Sequence, residues 1–214
     1  MSPSTDPAAI IEITTPTGPG RVNLHVAERP AAALVLGHGA GGGIGARDLL
    51  AATDAALRLG ISVALVEQPY RAAGRRSPPR APVLDAAWTA IVDHLSANDL
   101  AGLPVIVGGR SSGARVACRT IDATRAVGLL CLAFPLQPAR RSTGVQAPSR
   151  LPELDAVGLP VLIVQGVRDP FGMPPPGPRR TVVEVAGDHG LKADLPAVTS
   201  AIHAWLSDLV AELA

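Results

Sequence analysis

Aromatic residues make up only 2% of the 214 residues, so the chain lacks the stacking surfaces on which single-stranded nucleic acids are held. Lysine is almost missing: of 19 basic residues only Lys192 is lysine, and the other 18 are arginine. The formal net charge is +1, which points to no strongly charged partner. Only two cysteines are present, Cys118 and Cys131. Each sits in an apolar stretch without the spacing of a metal site or a redox pair, so buried free thiols are expected. No apolar run approaches the roughly 18 residues that a membrane span requires. Residues 1–7 show neither the basic region nor the apolar core of a signal peptide, and the expectation is a cytoplasmic protein. No nucleic acid, membrane, metal or cofactor is expected among its ligands.

What is present is a globular composition, 47% hydrophobic and 17% charged, in a length that suits one domain over residues 1–214. Two β-rich runs, 10–14 and 22–27, flank the turn-forming residues 16–20 and read as an antiparallel hairpin. From Ala31 onward, continuous apolar runs of strand length alternate with amphipathic segments of helix length. That alternation predicts an α/β fold, a mostly parallel sheet with helices on both faces. The expected strands are 33–37, 62–66, 104–108, 128–133, 160–166 and 181–186, and the expected helices 47–59, 83–97, 112–123 and 196–213. Residues 135–158 are polar and rich in proline, and hold a short helix or only a loop. They leave no room for a sizeable cap domain.

Two glycine-rich motifs each join a strand to a helix. In Gly37-His38-Gly39-Ala40-Gly41-Gly42-Gly43, the glycines at 37, 39 and 42 satisfy the dinucleotide fingerprint, and Glu67 ends the next strand roughly where that fold places its ribose-binding acid. A nucleotide-binding oxidoreductase is therefore an alternative, although the hairpin that precedes the motif is foreign to it. In Gly109-Arg110-Ser111-Ser112-Gly113 the pattern is G-x-S-x-G, at the end of an apolar strand and the start of a helix. Such an elbow crowds the positions two before and two after its nucleophile. Ser111 has glycine at both; Ser112 would have Arg110 and Ala114, so Ser111 is the expected nucleophile. A hydroxyl needs a base, and the base needs an acid to orient it. Asp169 and His189 follow the last two predicted strands, in the chain order Ser, Asp, His that this architecture uses. Asp188 is the rival acid, but a sequence neighbour usually points its side chain away from its partner. For the developing oxyanion, the backbone N–H of Ser112 and that of Ala40, with Gly41 as the alternative, are the expected donors.

The chain resembles the α/β-hydrolase superfamily, and within it small capless dienelactone-hydrolase-like proteins and the predicted hydrolases related to a KANL-type subunit of a eukaryotic acetyltransferase complex. The resemblance is carried by His38-Gly39-Ala40-Gly41-Gly42, Pro69-Tyr70, Gly109-Arg110-Ser111-Ser112-Gly113, Phe134-Pro135-Leu136, Gln165 to Gly172 and Asp188-His189-Gly190-Leu191-Lys192. It implies a serine hydrolase acting on a small ester or thioester without a cofactor. A catalytically weak binding or scaffold protein on the same fold is the second reading. Nine arginines, at 71, 75, 76, 80, 110, 140, 141, 150 and 168, fall in segments that follow strands and so belong to the predicted substrate edge. They predict an electropositive face and a substrate bearing a carboxylate or phosphate, with Arg75, Arg76 and Arg110 as the expected binding residues.

Overall fold

A computed structural model describes residues 9–138 and 147–213. The leading hairpin pairs β1 (Ala9–Thr15) with β2 (Gly18–His25), antiparallel, with Thr15 opposite Gly18. Its turn is shorter than expected: pairing resumes at Gly18, where Thr15 Oγ1 donates to the Gly18 carbonyl at 2.6 Å. Six further strands follow: β3 (Ala32–Gly37), β4 (Ile61–Glu67), β5 (Val105–Arg110), β6 (Gly128–Leu132), β7 (Val161–Gly166) and β8 (Arg180–Val185). Together they form one eight-stranded sheet in the order β1-β2-β4-β3-β5-β6-β7-β8. β2 joins β4 antiparallel, and every pairing from β4 to β8 is parallel.

Side chains alternate across the sheet, and both faces are apolar. On one face Val35, Val107, Cys131 and Ile163 join Trp88 and Phe134 in a buried cluster. On the other, Leu34, Ile106, Leu130 and Leu162 join Leu49, Ile202 and Leu206. That double burial is why the strands read as continuous hydrophobic runs. The first face is covered by α3 (Ala81–Ala97) and α4 (Ser112–Arg119), the second by α1 (Arg47–Arg58) and α6 (Leu195–Leu213).

Helix α2 (Pro69–Ala72) was not expected; proline at its first position suits a helix start. The expected helix 112–123 is divided, because α4 ends at Arg119 and a 3-10 turn occupies Ile121–Ala123. Thr120 turns its hydroxyl back onto the Val116 carbonyl at 2.8 Å, a bond that competes with helix continuation. Between β6 and β7, α5 (Leu151–Asp155) is the only helix among the described residues, so the proline-rich segment contains the expected short helix. Both cysteines are free and buried; burial pushes the Cys118 thiol up to about 12 and the Cys131 thiol well above its ordinary value. No helix among the described residues is long and apolar enough to cross a membrane.

Candidate active site

The C-terminal ends of β3, β5, β7 and β8 gather the residues that the sequence singled out. Ser111 stands between the end of β5 and the start of α4, with φ 53° and ψ −109°, a left-handed setting that costs a non-glycine residue about 1–3 kcal/mol. The surrounding packing enforces it. Gly109 and Gly113 both press against the Gly37 carbonyl of β3, and a Cβ at either would collide with that oxygen. The requirement for small residues two before and two after Ser111 is thus met as a steric fact.

His189 lies in the turn after β8 and reaches back to Ser111. Its Nε2 is 2.8 Å from Ser111 Oγ, and its Nδ1 is 2.8 Å from Asp169 Oδ2. The Asp169 side chain is 1% exposed and well satisfied: Gln165 Nε2 donates to Oδ2 at 2.9 Å, and the Phe171 N–H donates to Oδ1 at 2.9 Å. A carboxylate at Nδ1 places the ring hydrogen there and leaves Nε2 free to accept the serine proton. The Phe171 ring meets the His189 ring edge-on at 4.6 Å between centroids and limits its rotation. Asp188 does not enter this chain of bonds; its Oδ1 accepts the Gly190 N–H at 2.8 Å and caps the turn locally.

The glycine-rich loop after β3 faces Ser111 from the other side. Gln68 N–H donates to His38 Nε2 at 3.2 Å, so the ring hydrogen resides on Nδ1 and is donated to the Gly39 carbonyl at 2.8 Å. Burial holds His38 below the ordinary histidine value, which keeps the ring neutral and suits this pattern. In a trans peptide the carbonyl and the next N–H point in opposite directions. Anchoring the Gly39 carbonyl on His38 therefore turns the Ala40 N–H away from the ring. Tyr70 donates its hydroxyl to the Ala40 carbonyl at 2.9 Å and fixes the following peptide. Ala40, Ser111 and Ser112 line one cleft of about 360 Å³. A larger concavity, about 550 Å³, opens at the opposite sheet edge where Pro104 and Val127 lead into β5 and β6, away from the triad.

The arginines differ most from expectation. Arg110 was expected to bind substrate; instead its Nε pairs with Asp48 at 2.8 Å and its Nη2 donates to the His189 carbonyl at 2.9 Å. Asp48 is 1% exposed, and its burial raises the carboxyl above the usual range against the pull of Arg110. Arg110 therefore ties the elbow to α1 and to the histidine turn. Arg75 lines a neighbouring groove of about 420 Å³ with Tyr70, Pro78 and Pro79, while Arg76 is exposed. Arg140 and Arg141 lie outside the described residues. The cleft beside Ser111 is lined by Arg115, Arg119 and Arg150. Two of these, Arg115 and Arg119, sit on α4 rather than in the loops where the sequence pattern places binding residues. Glu67, the ribose-binding candidate of the dinucleotide reading, pairs with Arg21 at 3.3 Å. Among the described residues no three His, Cys, Asp or Glu side chains are grouped to hold a metal.

Residues 30–194 match the family described as an alpha/beta hydrolase domain. The chain belongs to that α/β-hydrolase family. Solved structures agree in fold at low identity. XC6422 from Xanthomonas campestris, described as an α/β serine hydrolase without lid, superimposes with a TM-score of 0.76 at 18% identity, over 94% of each chain. Est1E from Butyrivibrio proteoclasticus gives 0.77 at 14% identity, over 95% of this chain and 100% of its own. An α-β serine hydrolase homologue from Coxiella burnetii gives 0.74 at 14% identity, over 94% and 98%. No curated protein sequence matches the chain.

Proposed function

We propose that this α/β-hydrolase cleaves a small ester or thioester through an acyl-enzyme on Ser111. The observation that carries the reading is the unbroken line of hydrogen bonds Ser111 Oγ to His189 Nε2 and His189 Nδ1 to Asp169 Oδ2, each 2.8 Å. In the first half-reaction His189 takes the serine proton as Oγ bonds to the substrate carbonyl carbon, and the carbonyl oxygen becomes an oxyanion. The Ala40 and Ser112 N–H groups receive that charge, one from the loop after β3 and one from the first residue of α4. Asp169 stays ionised and stabilises the imidazolium. The intermediate then collapses, the carbonyl reforms, and His189 gives its proton to the departing alcohol or thiol. Water repeats the sequence on the acyl-enzyme and releases the acid and free Ser111. The modest cleft and the absence of a cap among the described residues favour small acyl groups over long chains.

A fluorophosphonate probe tests this reading directly, because it labels only a serine activated as a nucleophile. Wild type and Ser112→Ala are expected to label, since Ser112 contributes its backbone N–H, while Ser111→Ala is expected to stay unlabelled and to lose turnover of an activated ester by about 10⁴-fold or more. Failure of wild type to label would leave a binding or scaffold protein as the reading. Equal loss in both variants would move the nucleophile.

A further inference from the structure

On α4 the residues four and eight positions beyond Ser111 are Arg115 and Arg119, so their backbones rise about 6 Å and about 12 Å along the helix from the reacting serine. Both line the cleft that contains Ser111, and Arg150, which immediately precedes α5, joins them. Two carboxylates hold the first two. Arg115 Nε donates to Glu153 at 2.9 Å, and Arg119 donates to Asp85 at 2.9 and 2.6 Å, with Glu153 at 3.8 Å. Arg150 uses Nη1 on the Pro135 carbonyl at 2.8 Å and, among the described residues, forms no ion pair. Three guanidinium groups against two carboxylates leave one positive charge on this wall. Burial and then the neighbouring Arg115 hold Arg150 below the ordinary arginine value, against the pull of Glu153.

We propose that Arg150, next to the Glu153-bound Arg115, forms an anion subsite in the cleft, and that the ester cleaved at Ser111 bears a carboxylate a few bonds from its scissile carbonyl. The inference rests on Ser111 as nucleophile and adds the class of substrate. A planar guanidinium matches a carboxylate in two parallel hydrogen bonds, and a half-buried wall screens that pairing less than open water does. Arg150 is one of the nine arginines expected on the substrate edge, but not one of the three expected to bind: Arg110 is committed to Asp48, and Arg76 is exposed.

Two measurements separate this proposal from the reading beneath it. In turnover, kcat/KM for monomethyl glutarate is compared with that for a neutral methyl ester of the same chain length, at low and high salt. Wild type is expected to prefer the anion by about tenfold, with the preference shrinking in salt; Arg150→Met is expected to remove most of that ratio and Arg150→Lys to restore part of it. An unchanged ratio in Arg150→Met overturns the subsite. In binding, monomethyl glutarate is titrated calorimetrically into Ser111→Ala protein, a readout that needs no catalysis. Saturable heat that disappears in Ser111→Ala/Arg150→Met supports the subsite even if no ester is turned over. No heat, or equal heat in both proteins, overturns it.

Discussion

A Cβ added at Gly109 or Gly113 would run into the Gly37 carbonyl, whereas one added at Gly41, Gly42 or Gly45 would meet nothing within 4 Å. The two glycine-rich segments that converge on Ser111 are alike in composition and unlike in what holds them. At the elbow, the backbones of β3, β5 and α4 are packed so closely that shape is fixed by exclusion. In the loop after β3, space is open at Gly41, Gly42 and Gly45 but not at Gly39, which lies against Arg110. Shape there is fixed by two side-chain hydrogen bonds, one from His38 within the loop to the Gly39 carbonyl and one from Tyr70 of α2 to the Ala40 carbonyl. The first segment is broken by adding a methyl group, the second by removing a hydroxyl. Richness in glycine therefore says little by itself about which backbone is under constraint.

The largest effect is expected at Gly113→Ala. Neither the Gly37 carbonyl, bound into the centre of the sheet, nor α4 can retreat without moving Ser111, so stability to urea is expected to fall by about 3 kcal/mol. Displacement of the nucleophile is expected to lower kcat at least about 100-fold in whatever folded protein remains. A variant with wild-type stability and activity would show that the elbow is not fixed by packing.

An intermediate effect is expected at Tyr70→Phe. Loss of the hydroxyl frees the Ala40 carbonyl and lets the peptide beside the proposed oxyanion donor turn. The expected result is a kcat lower by about tenfold with KM held, together with about 1 kcal/mol of lost stability. A loss confined to stability, or one that appears only in KM, would mean that Tyr70 supports the fold without positioning the donor.

The smallest effect is expected at Gly42→Ala. Gly42 N–H closes a turn on the Gly39 carbonyl at 3.2 Å, and a methyl group there points into open space. Stability is expected to stay within about 0.5 kcal/mol of wild type and kcat/KM within about twofold. The same substitution would be damaging if the motif approached a pyrophosphate, so an active Gly42→Ala enzyme also disposes of the dinucleotide reading.

Period and chain order made much of the architecture legible. Five of the six parallel strands, β3 to β7, announced themselves because both faces of each are buried, whereas β8, with only Val185 buried, showed itself by its valines alone. G-x-S-x-G with the later Asp169 and His189 could be read from the order that the fold imposes. Asp188 could be set aside because adjacent residues diverge, and its Oδ1 accepts the Gly190 N–H. The arginines were harder. Arg110 looked free in the elbow because its partner Asp48 belongs to α1, and nothing local signals that pairing. Arg115 and Arg119 look like ordinary helix surface because substrate edges are usually built from loops, although their spacing of four from Ser111 is a usable sign that they share its face. Tyr70 carried a weaker signal, the Pro69-Tyr70 pair directly after a strand, and its bond to Ala40 appears only when two strand ends are brought together.

The position of His189 bears on how the protein fails on warming. β8 is the outermost parallel strand, and only Val185 among its six residues is buried. From the turn after it, the histidine must reach past β7 and β6 to the end of β5, a span of three strand spacings, or about 14 Å. On the proposed mechanism, catalysis rests on a sheet border with little buried surface, while Trp88 and Phe134 anchor the middle. Under that mechanism, fraying of the border is expected to part His189 from Ser111 before the interior melts, so activity is expected to be lost at a temperature below that at which the fold is lost.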